Sequence, residues 1–375
     1  MLKVISSVKD NLSYLEIMGE PGSVSYLTST RTRPAFPRDL QEMIDLLSFK
    51  VQKNREALDD YILLGRLFRL KGEPKRALRL HQNLLARPTL SVRHQISLFC
   101  ELGFDLLDLR IRDFGENYFL KSLTLQRQNI SALMGLERAY ELQNKFDKAV
   151  EILERLVRLG RPESVHLAYV LSEVALQYLE KGKVARARRM VEKALRSYEA
   201  CPYAHLTLAN VYTTAQRYER AILVLRSFLN RWPSHSFLAL RRLEDVHYRM
   251  DNYSEYEETL RNCIRFSPDN FYIYYSLARH LRKKRKDKEA LEYLRKSLEL
   301  NPLYVNAVRD LIQMLAQGEN AQRLTSKTNH FFASFKASRR FVCPTCRHRF
   351  VPVTWHCSKC GTWEMFEIRY ELQAP

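Results

Sequence analysis

An all-helical repeat array ending in a small metal-bound β module is the fold this sequence predicts, and three observations carry it. The 375 residues include only 11 Gly and 13 Pro, too few for the many tight turns of an all-β chain. Small residues recur at a near-constant interval within helical apolar patterns. Four of the seven cysteines lie near the end as two C-x2-C pairs, Cys343 with Cys346 and Cys357 with Cys360, with ten residues between the pairs.

The first element is a leader. Residues 1–37 read as irregular or partly ordered, and MLKVISSVKDNLSYLEIMGEPGSVSYLTSTRTRP holds no run of 18 apolar residues. A membrane-spanning helix needs about 20. The apolar stretch and small-residue cleavage site of a secretory signal are missing as well. From the leader a chain without its own membrane anchor is expected.

Residues 38–325 form the array, about seven repeats long. Its clearest unit, Leu58–Leu85, sets Leu64-Gly65, Phe68 and Ala77 where two antiparallel helices need small residues at their closest approach and large ones between. The small-residue position recurs at Ala77, Ala149, Ala187, Ala221 and Ala290, with Gly115 and Tyr256 in the gaps. Successive spacings are therefore 38, 34, 38, 34, 35 and 34 residues. Pro233, Pro268 and Pro302 mark the ends of successive second helices, and RLKG, ELQN and TTAQ steps supply turns within hairpins. This pattern is similar to the tetratricopeptide repeat, whose period is 34 residues. The resemblance implies an all-α, right-handed solenoid, with at least six helical hairpins between about residues 55 and 320.

A stacked array leaves a long concave surface, which in tetratricopeptide proteins is lined by the first helix of each repeat. The positions expected to face it are Arg66, Arg69, Arg138, Asn210, Arg241, Tyr248, Tyr272, Tyr275, Arg279 and Arg282. Guanidinium forks and tyrosine rings bind carboxylates, phosphates and peptide backbone with orientation. That is the chemistry of a binding groove.

Charge points the same way. The chain carries 61 Lys and Arg against 42 Asp and Glu, a formal +19, which favours an acidic partner. Five consecutive basic residues, Arg282, Lys283, Lys284, Arg285 and Lys286, form a knob at one turn, placed for weak contact with an anionic membrane surface. Aromatics are not interleaved with the knob in a base-reading pattern, so a nucleic-acid partner is not expected. No Gly-rich phosphate loop, G-x-S-x-G or H-E-x-x-H occurs, and the ten histidines are dispersed. The chain is not expected to be an enzyme. Cys100, Cys201 and Cys263 fall in apolar helical patterns as buried free thiols, which suits a reducing cytoplasm.

The last element, residues 338–372, is the tail module. Each C-x2-C turn puts two sulfurs on one side of a tight knuckle, and two knuckles face to face complete a tetrahedron around one ion. Cys343, Cys346, Cys357 and Cys360 are the expected ligands of one zinc or iron ion, a choice that spacing leaves open. Gly361 lets the second knuckle turn, RFVPVTWH suits a short hairpin, and WEMFEIRY suits a closing strand. With four protein ligands the site is closed and structural, and about 35 residues cannot build an adequate core without it.

The order of repeats followed by a rubredoxin-like, zinc-ribbon knuckle pair resembles the lipopolysaccharide assembly protein B (LapB) family of Gram-negative bacteria. LGRLFRLKGEPKRALRLHQNLL, ERLVRLG at Glu154–Gly160, VALQYL at Val174–Leu179 and the tail CPTC…WHCSKCGTW carry the resemblance, over roughly residues 55–370. Membership implies a non-enzymatic adaptor at the cytoplasmic face of the inner membrane. There the family works with the membrane protease FtsH to control the deacetylase that commits carbon to lipid A. The family begins with a transmembrane helix and this leader lacks one, so cytoplasmic residence with peripheral recruitment is expected. A soluble paralogue with another client and an RNA-associated repeat protein are the alternatives left open.

Overall fold

Sixteen α-helices and one three-stranded sheet make up the described residues of the structure, a computed structural model that describes residues 40–315, 336–350, 354–364 and 366–373. The leader at 1–37 lies outside them. Helix α1 (Leu40–Lys53) precedes seven helical hairpins: α2/α3 (Leu58–Leu70, Pro74–Leu85), α4/α5 (Val92–Asp108, Arg112–Leu125) and α6/α7 (Ile130–Leu142, Phe146–Arg158) come first. Then follow α8/α9 (Ser164–Glu180, Val184–Ser197), α10/α11 (Pro202–Thr214, Tyr218–Arg231), α12/α13 (Ser236–Arg249, Tyr253–Phe266) and α14/α15 (Phe271–Lys283, Asp287–Leu300), with α16 (Val305–Leu315) after the last. Backbone contacts divide the chain into two compact units. One runs to Val170 and includes Cys357–Thr362; the other holds Leu171–His356 and the residues from Trp363 on.

All seven landmark positions sit on the second helix of a hairpin and are buried, Tyr256 at 1% exposure among alanines at 0%. Five residues before each landmark, one residue closes the preceding turn with positive φ: Gly72, Arg110, Asn144, Gly182, Gln216, Asp251 and Arg285. Each turn makes the same pair of bonds. At the first, the Gly72 amide donates to the Arg69 carbonyl and the Glu73 amide to the Phe68 carbonyl; at the last, Arg285 donates to Arg282 and Lys286 to Leu281. These are Schellman caps, which satisfy two carbonyls that a helix end would otherwise leave free. The repeat period is therefore also a period of backbone geometry.

Only two of the seven turns use glycine. A left-handed non-glycine residue costs roughly 1–2 kcal/mol, partly offset in a Gly variant by the larger entropy of the unfolded chain. Arg110→Gly is expected to stabilise the protein by about 0.5–1 kcal/mol in urea unfolding, and Gly72→Arg to destabilise it.

In the first unit, Phe119 on α5 is fully buried against helices α4 and α6. A Cβ at Gly103 would fall 2.5 Å from its ring and one at Gly135 2.2 Å, so two glycines make the slot the ring occupies. Gly65 serves His81 in the same way, at 2.2 Å. In the second unit, Leu225, Phe228, Leu243, Tyr256, Leu260, Leu277 and Ala290 form the centre of a continuous core.

Strand β1 (Lys336–Val342) pairs antiparallel with β2 (Arg349–Phe350) and with β3 (Glu367–Gln373), in the order β2-β1-β3. The register matches Phe341 with Phe350 on one side and with Ile368 on the other. Among the described residues no helix is long and apolar enough to cross a membrane.

Candidate metal centre and binding cleft

The two cysteine knuckles have one backbone design. In the first, the Cys343 amide donates to the His348 carbonyl and the Arg347 amide to the Cys343 carbonyl; in the second, Cys357 donates to Thr362 and Gly361 to Cys357. Arg347 (φ 58°) occupies the left-handed position that Gly361 (φ 77°) fills in its counterpart. All four sulfurs lie within 4.8 Å of one another and none is in a disulfide. A tetrahedral ion with sulfur ligands at about 2.3 Å requires sulfur–sulfur edges of about 3.8 Å, so the set fits one ion. Cys343 and Cys357 are buried, and the Thr362 hydroxyl lies 3.2 Å from the Cys360 sulfur, where it can donate to a thiolate. The four cysteines together could hold one metal ion. By contrast, burial pushes the thiols of Cys100, Cys201 and Cys263 up to about 11, which leaves them protonated and inert.

Within the second unit, tail residues dock on the repeats through aromatic contacts. Trp355 stacks on Tyr203 at 5.0 Å and 18°, Phe341 packs 6.1 Å from Phe237, and His235 bonds the Phe366 carbonyl at 3.0 Å. Between these contacts and the first helices α10, α12 and α14 opens a cleft of about 1500 Å³, which α16 also lines. Its aromatic lining includes Tyr203, Phe237, Tyr272, Tyr304, Phe341 and Trp355, and its basic groups are Arg241, Arg242, Arg279, Arg282, Lys283 and Arg309. Glu244 and Asp310 are its acidic residues. Each is already bonded, Glu244 to Lys283 at 2.7 Å and Asp310 to the Tyr275 hydroxyl at 2.9 Å.

Six of the ten residues expected along the groove line this cleft: Asn210, Arg241, Tyr272, Tyr275, Arg279 and Arg282. Tyr272 and Tyr275 are mostly buried, at 5% and 8% exposure, and belong to its walls. Tyr248 stands outside the lining, its ring under the Lys283 ammonium at 4.4 Å. The other three are in the first unit. Arg138 is exposed on α6, whereas Arg66 and Arg69 are held by buried acids one repeat on. Arg69 bonds Glu101 at 2.6 Å and Asp105 at 2.7 Å, Arg66 also reaches Glu101, and His81 closes on Asp105 at 2.6 Å. Burial pushes the Glu101 carboxyl up, but the two guanidiniums hold it well below the usual range.

The same helical positions one repeat later carry Glu137 and Glu141, which His166 meets at 3.6 and 2.8 Å. Burial pulls the His166 pKa down, but Glu141 and then Glu137 raise it well above its ordinary value, while burial and Glu141 raise Glu137. A third carboxylate, Glu163, lies 3.6 Å from the other ring nitrogen of His166. Composition gave no sign of these pairs, because each joins residues 24 to 36 apart whose register only the repeat supplies. Phe341 and Trp355 were missed as cleft residues for the same reason at longer range.

In the basic knob, Lys283 pairs with Glu244, Lys284 with Glu257 at 2.9 Å, and Lys286 with Glu289 at 3.8 Å. Arg282 and Arg285 have no ion pair among the described residues.

Fold and site together define a tetratricopeptide-repeat chain with a C-terminal tetracysteine module. Tetratricopeptide repeat profiles match residues 61–93, 132–164, 175–236 and 271–302. Over most of its length the chain is similar to lipopolysaccharide assembly protein B. It is 21% identical to that of Escherichia coli strain K12 over 324 residues, 85% of this chain and 83% of the relative. To that of Haemophilus influenzae it is 24% identical over 349 residues, 91% and 87% of the two chains. Among solved structures it is similar to a tetratricopeptide repeat protein from Parabacteroides merdae, with a TM-score of 0.39 and 15% identity over 72% of this chain and 98% of that one. The C-terminal part of a repeat protein from Cytophaga hutchinsonii gives 0.45 and 12%, over 78% and 99%.

Proposed function

We propose that this chain is a non-enzymatic adaptor that holds a client protein in the cleft of its second unit, in the regulation of lipopolysaccharide biosynthesis. One observation carries the reading: a cleft too large for an ordinary metabolite, with an aromatic lining and four arginines, Arg241, Arg279, Arg282 and Arg309, that have no ion pair among the described residues. Tetratricopeptide repeats support protein partners, and the similarity to lipopolysaccharide assembly protein B supports the pathway. The finer reading takes the client to be the lipid A deacetylase, handed to the membrane protease FtsH at the cytoplasmic face of the inner membrane. The tetrathiolate holds zinc or iron as a structural ion that fixes the wall bearing Phe341 and Trp355. With three of the five knob cations already paired, recruitment rests on a protein partner, and lipid adsorption contributes little.

Deacetylase half-life after synthesis is blocked tests the reading, in the native organism with and without this chain. A half-life several-fold longer in its absence is expected. An unchanged half-life contradicts the proposed client.

A further inference from the structure

We propose that the occupant of the cleft is an extended acidic segment of the partner, with carboxylates about three residues apart and one bulky apolar side chain among them. The inference rests on the adaptor reading and adds the chemistry of what is held. Arg241, Arg279, Arg282 and Arg309 line the cleft and have no ion pair among the described residues. Arg242 is used internally, bonding the Asn210 side chain at 3.1 Å and the Leu238 carbonyl at 2.6 Å. Glu244 is paired with Lys283, and Asp310 keeps its charge beside a neutral tyrosine hydroxyl, so six cationic side chains line the cleft against two carboxylates. Arg241, Arg279 and Arg282 are exposed and Arg309 is half-buried, so an anion reaches them from solvent and forms charge-assisted hydrogen bonds with them.

The arrangement separates a peptide from other anions. The four arginines stand on three different helices, α12, α14 and α16. Packed helix axes lie roughly 8–10 Å apart, so the charges are spread as a ladder over three helices. An extended chain rises about 3.3 Å per residue, so carboxylates at every third position keep pace with that ladder. Nucleic acid fits poorly. Tyr203 and Trp355 stack on each other, and Tyr272 and Tyr275 are largely buried, so few ring faces are free for bases. The apolar lining of Phe237, Phe341 and Trp355 instead suits one aliphatic or aromatic side chain.

Fluorescence anisotropy on the full-length, metal-loaded chain tests this with a labelled twelve-residue peptide bearing Glu at every third position and a central Phe. Comparison probes are the same residues with the Glu clustered, a Gln-for-Glu version, a Lys-for-Glu version and a twelve-nucleotide single-stranded RNA. The spaced acidic peptide is expected to bind best. Arg241→Glu/Arg279→Glu should weaken it about tenfold or more, equivalent to about 1.4 kcal/mol, and should gain affinity for the Lys version. Arg196→Glu, an exposed charge on α9 outside the cleft, should change neither. The charge-swap gain cannot come from misfolding, so it keeps the test decisive if the double variant is less stable. Equal binding of clustered and spaced peptides, tighter binding of RNA, or no binding of the spaced peptide would each overturn the proposal. If peptide binding fails while deacetylase half-life still depends on the chain, this ligand chemistry falls and the adaptor reading stands.

Discussion

A Cys343→Ser/Cys360→Ser variant is expected to purify without metal and with an unfolded tail, while its helical signal stays nearly unchanged. Structural zinc supplies apparent folding energies of about 10–16 kcal/mol in small domains. The rest of the tail is small: β1 pairs with β3 through seven residues and with β2 through two, and the knuckles are held by a few backbone bonds. Elemental analysis should give about one equivalent of zinc or iron in the parent and a small fraction of that in the variant. Amide exchange in β1 and β3 should accelerate by orders of magnitude. Because Trp355 rests on Tyr203 and Phe341 on Phe237, the variant should also lose one wall of the cleft, seen as a red shift in tryptophan emission. A variant that kept its full metal load would refute the ligand assignment.

The largest single effect on the repeats is expected from Phe119→Ala, a loss of about 3–5 kcal/mol by thermal or urea unfolding. Two glycines, Gly103 and Gly135, shape the slot for this ring, so its removal leaves a void on both sides. Gly135→Ala approaches the same contact from the other side. Its new Cβ would press on the Phe119 ring, and a cost of about 1–3 kcal/mol is expected. Losses below about 1 kcal/mol for both would show that the slot relaxes and that the close packing around Phe119 contributes little.

The array was legible because its signals are local and repeated. Ala77, Ala149, Ala187, Ala221 and Ala290 had to be small at a helix crossing, and the RLKG, ELQN and TTAQ steps end on the left-handed residues Gly72, Asn144 and Gln216. Arg110 and Arg285 take that conformation with no compositional mark, since the Schellman bonds and the following helix impose it. Gly115 looked like a weak alanine substitute. Its smallness answers the Gly103 carbonyl and Leu107, both close to where its Cβ would be. The cysteine quartet was fully legible because metal-ligand spacing is a covalent property of the chain.

What the sequence could not supply was the pairing between repeats. Arg66 and Arg69 have the residue type of a groove, but Glu101 and Asp105, about one repeat away, take up their charge. The wall made by Phe341 and Trp355 comes from more than 50 residues beyond the helices it faces, so no local pattern could announce it. Legible and hidden features thus divide by range: local geometry was written in spacing, and the site was written in contacts between distant segments.

That a client is held in the cleft of the second unit is the central claim, and site-specific photo-crosslinking tests it most directly. Benzoylphenylalanine replaces Ser276 inside the cleft in one version of the chain, and Arg196 on α9 outside it in another. Both are expressed in the native organism and irradiated before lysis. The account predicts that the lipid A deacetylase crosslinks from position 276 and not from position 196. Crosslinking from 196 with none from 276 would contradict it.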